Sequence, residues 1–567
     1  MKALLVAFCL CCLSADAQAH ATLLQTDPIP GSNLASAPTQ VRLTFNERVE
    51  PLFNSLSVMS LSGYRVDDGD AHLAGDGDTL VVTLSPIVPG AYVVLWRVNS
   101  ADGHQVQGQF GFGFRSAAPD AAALQRFTMP TQSFSWQTFA VFMKWVSLTA
   151  VVVWLGGIFF LLRIAPVSAT REENPAYDVL QKVERRSIWL LRTAAWTFLI
   201  SEIVDLTAQT TTFTGLAPTR ALTFSNLAAV LSHTNYGEWW LVRVAAAIPL
   251  IVLFAIRSSP SVSRAQSFWR APVCMLLGAL VLLTWPLSGH ANAVARFTWL
   301  AVGMDWLHLA ATSVWIGGLI HFVAVAGALR GDNSAPIELL GQVTRRFSRV
   351  AKASVAVLLG SGIYNAWLHL PSWAAFVTTS YGRVLLAKLI VAVLILSVAF
   401  VNLRRVLPAL LSFRVRIDAA RVWAGRFAQL LRGEAALGIA ILALVAVLTS
   451  LPPASAVSTG PVNLMRRVSG DAITVSLAPN RVGPNTVTIS LLDSSHRKIT
   501  DTKRVTAYLR MRDMDMGLTT VAAQPAEDGT YRAVVDLSMA GRWSLSVEVS
   551  PANGDDFVAA FDFSCGF

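Results

Sequence analysis

The chain has 567 residues, of which 53% are hydrophobic and only 14% are charged, and its formal net charge is +10. This composition is too apolar for an ordinary soluble protein, and the length exceeds that of a single domain. The net positive charge alone would suit a nucleic-acid-binding protein, but the positions of the basic residues, given below, exclude that class.

The N-terminal residues have the order of a secretory signal. Lys2 precedes an apolar run, and small residues follow at Ala17 and Ala19. We therefore predict a signal peptide over residues 1–19, whose removal leaves His20 as the first residue. The free α-amine and ring Nδ1 of His20 would then chelate Cu(II), which prefers nitrogen ligands in a tetragonal arrangement. The alternative is that His20 only marks where cleavage falls.

Residues 20–115 alternate between polar and apolar types in short runs separated by Pro and Gly turns, which predicts an antiparallel β-sandwich or small barrel. The runs are Val41–Phe45, Thr79–Leu84 and Ala91–Trp96. Asp102 and His104 follow the last run, two residues apart. With His20 they would supply three nitrogens and one oxygen, a set that suits Cu(II). Such a pair alone is more often turn chemistry.

Several motifs of this domain resemble the periplasmic copper-binding CopC family. They are His20-Ala21-x-Leu23, Pro28-x-Pro30-Gly31, Leu43-x-Phe45-Asn46-Glu47-x-Val49-Glu50-Pro51 and Trp96-Arg97-Val98-x-Ser100-x-Asp102-Gly103-His104. The resemblance implies a Greek-key β-barrel that holds Cu(II) through His20, Asp102 and His104.

A linker at 116–135 leads to a predicted membrane domain at 136–452. It contains eight apolar stretches long enough to cross a bilayer. They lie near 138–163, 187–207, 239–256, 270–288, 303–328, 349–369, 383–403 and 433–451.

The basic residues are concentrated in alternate loops of this domain. The loops after the first, third, fifth and seventh stretches carry most of them, whereas the others carry Arg220, Arg296 and Arg383. By the positive-inside rule the first set of loops is cytoplasmic. We therefore expect a multi-pass bacterial inner-membrane protein with both soluble domains in the periplasm.

The membrane domain contains an internal repeat. Met143–Gly157 matches Met304–Gly318 at a constant offset of 161, and Tyr236-Gly237 and Tyr381-Gly382 begin the third and seventh stretches. This pattern predicts an eight-helix bundle of two four-span repeats with like orientation.

The two repeats differ in their ionisable residues. Lys144 and Ser147 in the first correspond to Asp305 and His308 in the second. Ionisable residues within a bilayer are costly and functional by default. Asp305 and His308 are about 60° apart on a helix and share a face, and we expect His290 to join them in an outward-facing polar vestibule. The vestibule would also include Glu202, Asp205 and His369.

Two histidines keep alternative interpretations. A regular helix turns His321 roughly 140° from His308 and sets it about 20 Å deeper, so one ion cannot bridge them. His321 is then either a second station on a metal path or a packed residue bonded to a backbone carbonyl. His290 either binds metal or meets only water and headgroups.

The membrane motifs resemble the CopD family of copper-resistance proteins. They are Gly289-His290-Ala291, Asp305-x-x-His308, Trp315-x-Gly317-Gly318 and Tyr381-Gly382-Arg383 with Lys388 after it. The resemblance implies copper movement across the inner membrane, usually inferred to be inward, with the intramembrane histidines as candidate ligands.

Residues 453–567 alternate again and predict a second β-sandwich. It contains Met511, Met514 and Met516, whose soft thioethers select Cu(I) but also commonly fill β-sandwich cores. The strand pattern and the Met-Asp-Met-Gly segment resemble YtkA-like domains.

The sequence thus predicts a copper-binding and copper-transporting protein for copper homeostasis or resistance, not an enzyme. Its expected partners are copper ions, membrane lipid and periplasmic copper proteins, and no nucleic acid. Two alternatives remain open. One is a membrane redox protein that uses haem or a histidine-brace copper, and the other is a copper sensor or store without transport.

Overall fold

The computed structural model describes most of the chain from residue 21 onward. It leaves out residues 1–20, 22, 29–30, 46–47, 51–54, 76, 101–104, 120, 125, 128–133, 165–176, 256–263, 294–296, 327–333, 371–372, 374, 413–416, 452–461, 469–470, 481–482, 494–496, 513–517, 527, 538–540, 553–555 and 566–567. The remainder forms a helical unit within Gln132–Ala454 and a β unit from Gln18–Thr131 and Ser455–Phe567.

The N-terminal part of the β unit contains eight strands. They are β1 Leu23–Asp27, β2 Asn33–Leu34, β3 Gln40–Phe45, β4 Leu56–Ser60, β5 His72–Ala74, β6 Thr79–Thr83, β7 Gly90–Asn99 and β8 Gln105–Phe114. They form two four-stranded sheets with the orders β1-β3-β6-β5 and β2-β8-β7-β4. Neighbouring strands are antiparallel except β2 and β8, which pair in parallel.

The core of these sheets follows from the alternation in the sequence. Val41, Leu43 and Phe45 of β3 are buried, while the residues between them are more exposed. The Phe45 ring contacts the edge of Trp96, with ring centroids 5.5 Å apart. Gly108 in β8 lies against the Trp96 ring, because a Cβ there would overlap it. This packing fixes the long β7–β8 hairpin.

The helices are mostly long and apolar. They are α1 Ala121–Leu124, α2 Phe134–Phe159, α3 Tyr177–Thr214, α4 Pro218–Ala221, α5 Phe224–His233, α6 Asn235–Ala255, α7 Arg264–Leu287, α8 Thr298–Thr312, α9 Gly318–Ala326, α10 Ser334–His369, α11 Ala375–Thr378, α12 Ser380–Val401, α13 Leu407–Leu411 and α14 Ile417–Leu448. π-Helical turns extend or join some of them, at Phe160–Ile164, Ser313–Gly317 and Asn402–Val406. A 3₁₀ turn covers His290–Ala293.

Six helical segments in the described part of the chain are long and apolar enough to cross a membrane. They are Ser135–Ile164, Gln181–Thr214, Asn235–Leu253, Thr298–Ala326, Ser380–Leu411 and Val422–Leu448. Ala271–Leu287 is apolar but shorter. The stretch predicted at 349–369 lies in α10, a long helix that does not join the six. The central region is therefore a multi-helix membrane domain.

Two glycines bring the first span into backbone contact with the fifth predicted stretch. A Cβ on Gly156 would overlap the carbonyl oxygen of Ser313, and a Cβ on Gly317 would overlap the carbonyl oxygen of Val152. Ser313 lies 161 residues after Val152, as Gly317 does after Gly156. The contact is therefore reciprocal, with matching atoms on the two segments.

Two helices also begin in the same way. The Thr234 hydroxyl accepts a 2.9 Å hydrogen bond from the Gly237 amide at the start of α6. The Thr379 hydroxyl accepts a 3.0 Å hydrogen bond from the Gly382 amide at the start of α12. A side-chain oxygen at this position satisfies an amide that the helix itself leaves unpaired.

The C-terminal part of the β unit contains nine strands. They are β9 Val462–Val468, β10 Asp471–Ala478, β11 Gly483–Leu492, β12 Thr502–Met511, β13 Thr519–Ala522, β14 Gln524–Pro525, β15 Tyr531–Leu537, β16 Gly541–Pro551 and β17 Phe557–Cys565. The sheet orders are β14-β15-β11-β10-β9 and β13-β12-β16-β17. Tyr531, Ala533, Val535 and Leu537 are buried on one face of β15. The two sheets enclose apolar residues between them, as the sequence predicts.

Candidate metal centre

The residues predicted to bind Cu(II), His20, Asp102 and His104, lie outside the described residues. Their described neighbours are close to each other. The Ala21 amide donates a 2.7 Å hydrogen bond to Ser100 Oγ, in a buried setting. Ala21 follows His20 directly, and Ser100 lies two residues before Asp102. The fold therefore brings together the two chain segments that carry the predicted ligands.

The methionine cluster is only partly described. Met511 ends β12 and is 2% exposed within the hydrophobic core of its domain. This setting matches the core-filling alternative for Met511, while Met514 and Met516 lie outside the described residues. Cys565 is buried nearby in the same core, where burial, with a smaller effect from Asp536, raises the pKa of its thiol to about 12. The thiol is therefore protonated at neutral pH and is not ready to bind metal.

Asp305 and His308 lie together on α8, each partly exposed, and both contact α10. Asn365 Nδ2 donates a hydrogen bond of 3.2 Å to Asp305 Oδ1. His308 Nδ1 lies 2.9 Å from Ser361 Oγ. The three-residue spacing had predicted that the two side chains share a face, and their common neighbour α10 agrees with that prediction.

The hydrogen bonds of Ser361 assign the tautomer of His308. Ser361 Oγ donates to the Val357 carbonyl oxygen at 2.7 Å, so its single proton is already used. It therefore accepts a hydrogen bond from His308, whose Nδ1 carries the proton. His308 Nε2 then keeps a free lone pair. An imidazole held by a donated hydrogen bond on one nitrogen is the usual arrangement of a metal ligand.

Asp305 and His308 supply two ligands rather than a complete site. Within the described residues, no three His, Cys, Asp or Glu side chains form a group that could hold a metal ion. The 3₁₀ turn that carries His290 contacts α8. The position of its imidazole lies outside what the structure describes. The ring of His369, at the end of α10, has its centroid 6.2 Å from that of Tyr381.

A second polar cluster occupies the first repeat. Glu202 on α3 accepts hydrogen bonds from Ser147 Oγ at 2.8 Å and from Arg243 NH1 at 2.9 Å. All three residues are at most 2% exposed. Arg243 also donates to Thr284 on α7 at 2.9 Å. A buried charge requires such compensation, and the pair joins four helices.

Glu202 and Asp205 therefore have a different setting from the open vestibule expected from the sequence. Glu202 is buried in an ion pair with Arg243, and Asp205 accepts a 2.6 Å hydrogen bond from Tyr236. No hydrogen bond among the described residues joins this cluster to Asp305 and His308. The partners of these side chains were not predicted from the sequence, because they come from helices distant in the chain.

His321 is fully buried on α9. Its Nε2 donates a 3.1 Å hydrogen bond to the Val153 carbonyl oxygen, and its Nδ1 has no hydrogen-bond partner in the described part of the chain. Gly157 leaves room for the ring, since a Cβ there would overlap it. The backbone hydrogen bond is the one expected for a packed histidine. The π-helical turn Ser313–Gly317 separates His321 from His308, so the angle expected for a regular helix does not apply.

Four family models match successive parts of the chain. A CopC domain matches residues 23–115, a copper resistance protein D-like N-terminal domain matches 133–297, copper resistance protein D matches 341–448, and a YtkA-like domain matches 468–548. The chain is a fusion of CopC, CopD and YtkA-like domains. The resemblance inferred from the sequence is confirmed in all three parts.

Individual relatives agree with this assignment. Copper transport protein CutJ of Bacillus subtilis is 28% identical over 505 residues, which cover 86% of this chain and 84% of CutJ. Copper resistance protein C of Pseudomonas syringae is 33% identical over 107 residues, or 18% of this chain and 84% of that protein. Inner membrane protein YebZ of Escherichia coli is 22% identical over 323 residues, or 57% of this chain and 99% of YebZ.

The two CopD-type matches divide the polar residues. The first covers Ser147, Glu202 and Arg243, and the second covers Ser361 and Lys388. Residues 298–340, which include Asp305, His308 and His321, lie between the two matched stretches. Their contacts with the CopD-matched α10 nevertheless connect them to that domain.

Proposed function

We propose that this CopC–CopD–YtkA fusion carries copper across the bacterial inner membrane toward the cytoplasm, in copper homeostasis or resistance. The observation that carries the proposal is the pair Asp305 and His308. It combines a carboxylate with an imidazole whose Nε2 lone pair is free, on a partly exposed helix face within the membrane domain. The CutJ relative is named a copper transport protein, and another relative is named a copper resistance protein.

The proposed membrane domain is an eight-helix bundle of two four-span repeats within residues 136–452. Two sets of paired contacts support it. They are the reciprocal Gly156 and Gly317 contacts and the matching Thr234 and Thr379 caps. The flanking domains, at 20–115 and 453–567, are proposed to be periplasmic because the basic loops lie on the opposite side.

The proposed copper path includes His290 beside Asp305 and His308, and His321 deeper in the domain. The turn of His290 contacts α8, which supports its inclusion. His321 keeps an unpartnered Nδ1 in a sealed setting, which supports a role in passage rather than in initial capture. In the C-terminal domain, Met514 and Met516 remain proposed Cu(I) ligands, whereas the buried position of Met511 favours packing.

His308→Ala tests the transport proposal, with Ser147→Ala as its matched control. Both residues occupy the same position in the repeat. We expect His308→Ala to reduce copper accumulation by cells, and copper uptake into proteoliposomes, to the level of a control without the protein. We expect Ser147→Ala to retain uptake, because Ser147 supports a structural ion pair and not a metal ligand. His290→Ala should resemble His308→Ala if both residues bind the same ion.

Equal uptake by the wild type and His308→Ala, at matched insertion, would reject this site. Copper binding without uptake by the wild type would instead favour a sensor or store. An absorption spectrum of the purified protein with a haem Soret band would favour the redox alternative.

We further propose that the mature N-terminal domain binds one Cu(II) through His20, Asp102 and His104. The hydrogen bond between Ala21 and Ser100 supports this proposal, because it joins the segments that carry the ligands. One extra residue before His20 removes the terminal chelate and should weaken Cu(II) binding severely. Titration followed by paramagnetic resonance measures this effect, and an unchanged affinity and spectrum would refute the N-terminal site.

A further inference from the structure

Lys388 on α12 is a charged residue that the proposed copper path does not use. It lies close enough to Asp305 and His308 to interact electrostatically with both. Among the described residues it makes no hydrogen bond and no direct ion pair. It is partly exposed, as are the two candidate ligands with which it interacts. Lys388 is therefore a cation beside the site that is not fixed to any one partner.

In the first repeat, the position equivalent to Lys388 is occupied by Arg243, a cation that is held by several hydrogen bonds. Arg243 lies seven residues after Tyr236, as Lys388 does after Tyr381. Its guanidinium is fixed by Glu202, Thr284 and Ser288, at 2.9, 2.9 and 3.2 Å. It also lies over the Trp285 ring, with its carbon 4.8 Å from the centroid. At equivalent positions of the two repeats, Arg243 is therefore held in place by hydrogen bonds, whereas Lys388 is not held by any within the described part of the chain.

The chemistry of the two side chains fits this difference. The planar guanidinium of Arg243 matches several fixed acceptors at once, whereas an ammonium on a flexible stem is a movable point charge. In the first repeat the carboxylate of Glu202 forms a buried ion pair with Arg243. In the second, Asn365 is the only hydrogen-bond donor to Asp305 among the described residues, which leaves the carboxylate charge to be balanced by another group. The two candidates are Lys388 and a bound metal ion.

We propose that Lys388 is the resident counter-cation of Asp305, which keeps the empty site neutral and makes it select monovalent over divalent metal ions. This inference rests on the proposed metal site at Asp305 and His308. An ion that binds there must share the carboxylate with the ammonium or displace it. Coulomb repulsion from Lys388 grows in proportion to the charge of the ion, so a divalent ion is penalised about twice as much as a monovalent one. The soft monovalent ion of this class is Cu(I).

Lys388→Met tests the inference in the full-length protein in lipid nanodiscs. Ag⁺ serves as the monovalent probe and Co²⁺ as the divalent probe, whose visible absorption reports nitrogen and oxygen ligands. Each binding measurement is repeated in a His308→Ala background. The difference between the two measurements is the binding at the membrane site, because metal sites elsewhere in the chain contribute equally to both. We expect Lys388→Met to tighten this His308-dependent binding about tenfold for Ag⁺ and about hundredfold for Co²⁺, because the repulsion scales with charge.

Three further variants make the result specific. Lys388→Arg keeps the charge and should retain the wild-type preference for Ag⁺ over Co²⁺. Lys388→Gln should behave as Lys388→Met does, which tests the idea if the methionine variant folds poorly. Arg243→Met should lower stability, because it leaves the Glu202 carboxylate buried without its cation, but should not change the ratio of Ag⁺ to Co²⁺ affinity.

The possible failures are distinguishable. If His308→Ala leaves the binding of both ions unchanged in the wild type and in the Lys388 variants, the proposed metal site itself is wrong. If His308-dependent binding exists but Lys388→Met and Lys388→Gln leave the affinity ratio unchanged, the role of Lys388 is wrong. The same conclusion follows if Lys388→Arg loses selectivity as the neutral variants do.

Discussion

His308 and His321 belong to one long helical segment, yet their hydrogen bonds leave different nitrogens without a proton. His308 donates from Nδ1 to Ser361, so its Nε2 is the unprotonated nitrogen, on a residue that is partly exposed. His321 donates from Nε2 to the Val153 carbonyl oxygen, so its Nδ1 is the unprotonated nitrogen and is sealed in the interior. The two histidines therefore differ in environment: His308 is partly exposed, whereas His321 is buried.

Ser361→Ala should weaken metal binding at His308. The hydroxyl accepts the Nδ1 proton and fixes both the tautomer and the ring orientation, and the loss of such a partner typically costs about 10–100-fold in metal affinity. Titration of the purified protein with Ag⁺ measures the change. Ser397→Ala is the control, since its hydroxyl bonds only to its own helix, at the Val393 carbonyl oxygen. Equal losses in both variants would refute the assigned role of Ser361.

The sequence predicts part of this site. The spacing of Asp305 and His308 predicts a shared helix face because it follows from the helical period alone. Their partners Ser361 and Asn365 were not predicted, since they lie 53 and 60 residues away on another helix. Helix pairing depends on three-dimensional packing, which the period of one helix does not reveal. Comparison of the repeats in the sequence does match Lys388 with Arg243, since each lies seven residues after the tyrosine of a Tyr-Gly pair.

At the scale of elements, the backbone contact between the two equivalent spans of the repeat depends on glycine. Gly156 and Gly317 allow backbone atoms to approach where any side chain would intervene. Small residues serve this purpose in membrane helices, because close packing rather than water exclusion drives their association. The π-helical turn at Ser313–Gly317 lies at this contact. The repeat was visible in the sequence, but the π-helical turn was not, because its residues suit an α-helix equally well.

Gly317→Ala should therefore destabilise the membrane domain. The added methyl group would overlap the Val152 carbonyl oxygen, which belongs to a backbone that cannot move alone. Overpacking of this kind costs about 1–3 kcal/mol. Gly303→Ala on α8 is the matched control, because a Cβ there meets nothing within 4 Å. It should be neutral or slightly stabilising. Thermal unfolding in detergent compares the two, and equal stability would contradict the close contact.

The apolar and alternating runs predicted the positions of most large elements. The run at Val41–Phe45 lies in β3, the run at Thr79–Leu84 covers β6 and one residue beyond it, and the apolar stretches coincide with long helices. The two-residue strand β2 was not predicted, because its parallel pairing with β8 leaves no local pattern. Long elements carry their own periodicity, whereas short ones depend on a partner that is distant in the chain.

At the scale of the whole molecule, the arrangement of charge predicts how the chain crosses the membrane. Basic residues are concentrated in alternate loops, and Arg404 and Arg405 lie exposed in one of these regions. Arginine near a span is retained on the cytoplasmic side. An even number of spans then returns the C-terminal domain to the side of the N-terminal domain. The described residues contain six helical segments long and apolar enough to cross a membrane, and the proposal of eight spans adds the shorter Ala271–Leu287 and α10 to them.

Single cysteines in a cysteine-free background test this orientation. Tyr64 in the N-terminal domain and Met465 in the C-terminal domain are 75% and 60% exposed, and Arg405 is also exposed. We expect Tyr64→Cys and Met465→Cys to react with a membrane-impermeant maleimide in intact spheroplasts. Arg405→Cys should react only after the membrane is permeabilised, because the basic end of the helical segment Ser380–Leu411 that carries it is proposed to lie on the cytoplasmic side. Labelling of Arg405→Cys in intact spheroplasts would reverse the orientation, and protection of Met465→Cys alone would mean that the number of spans is odd.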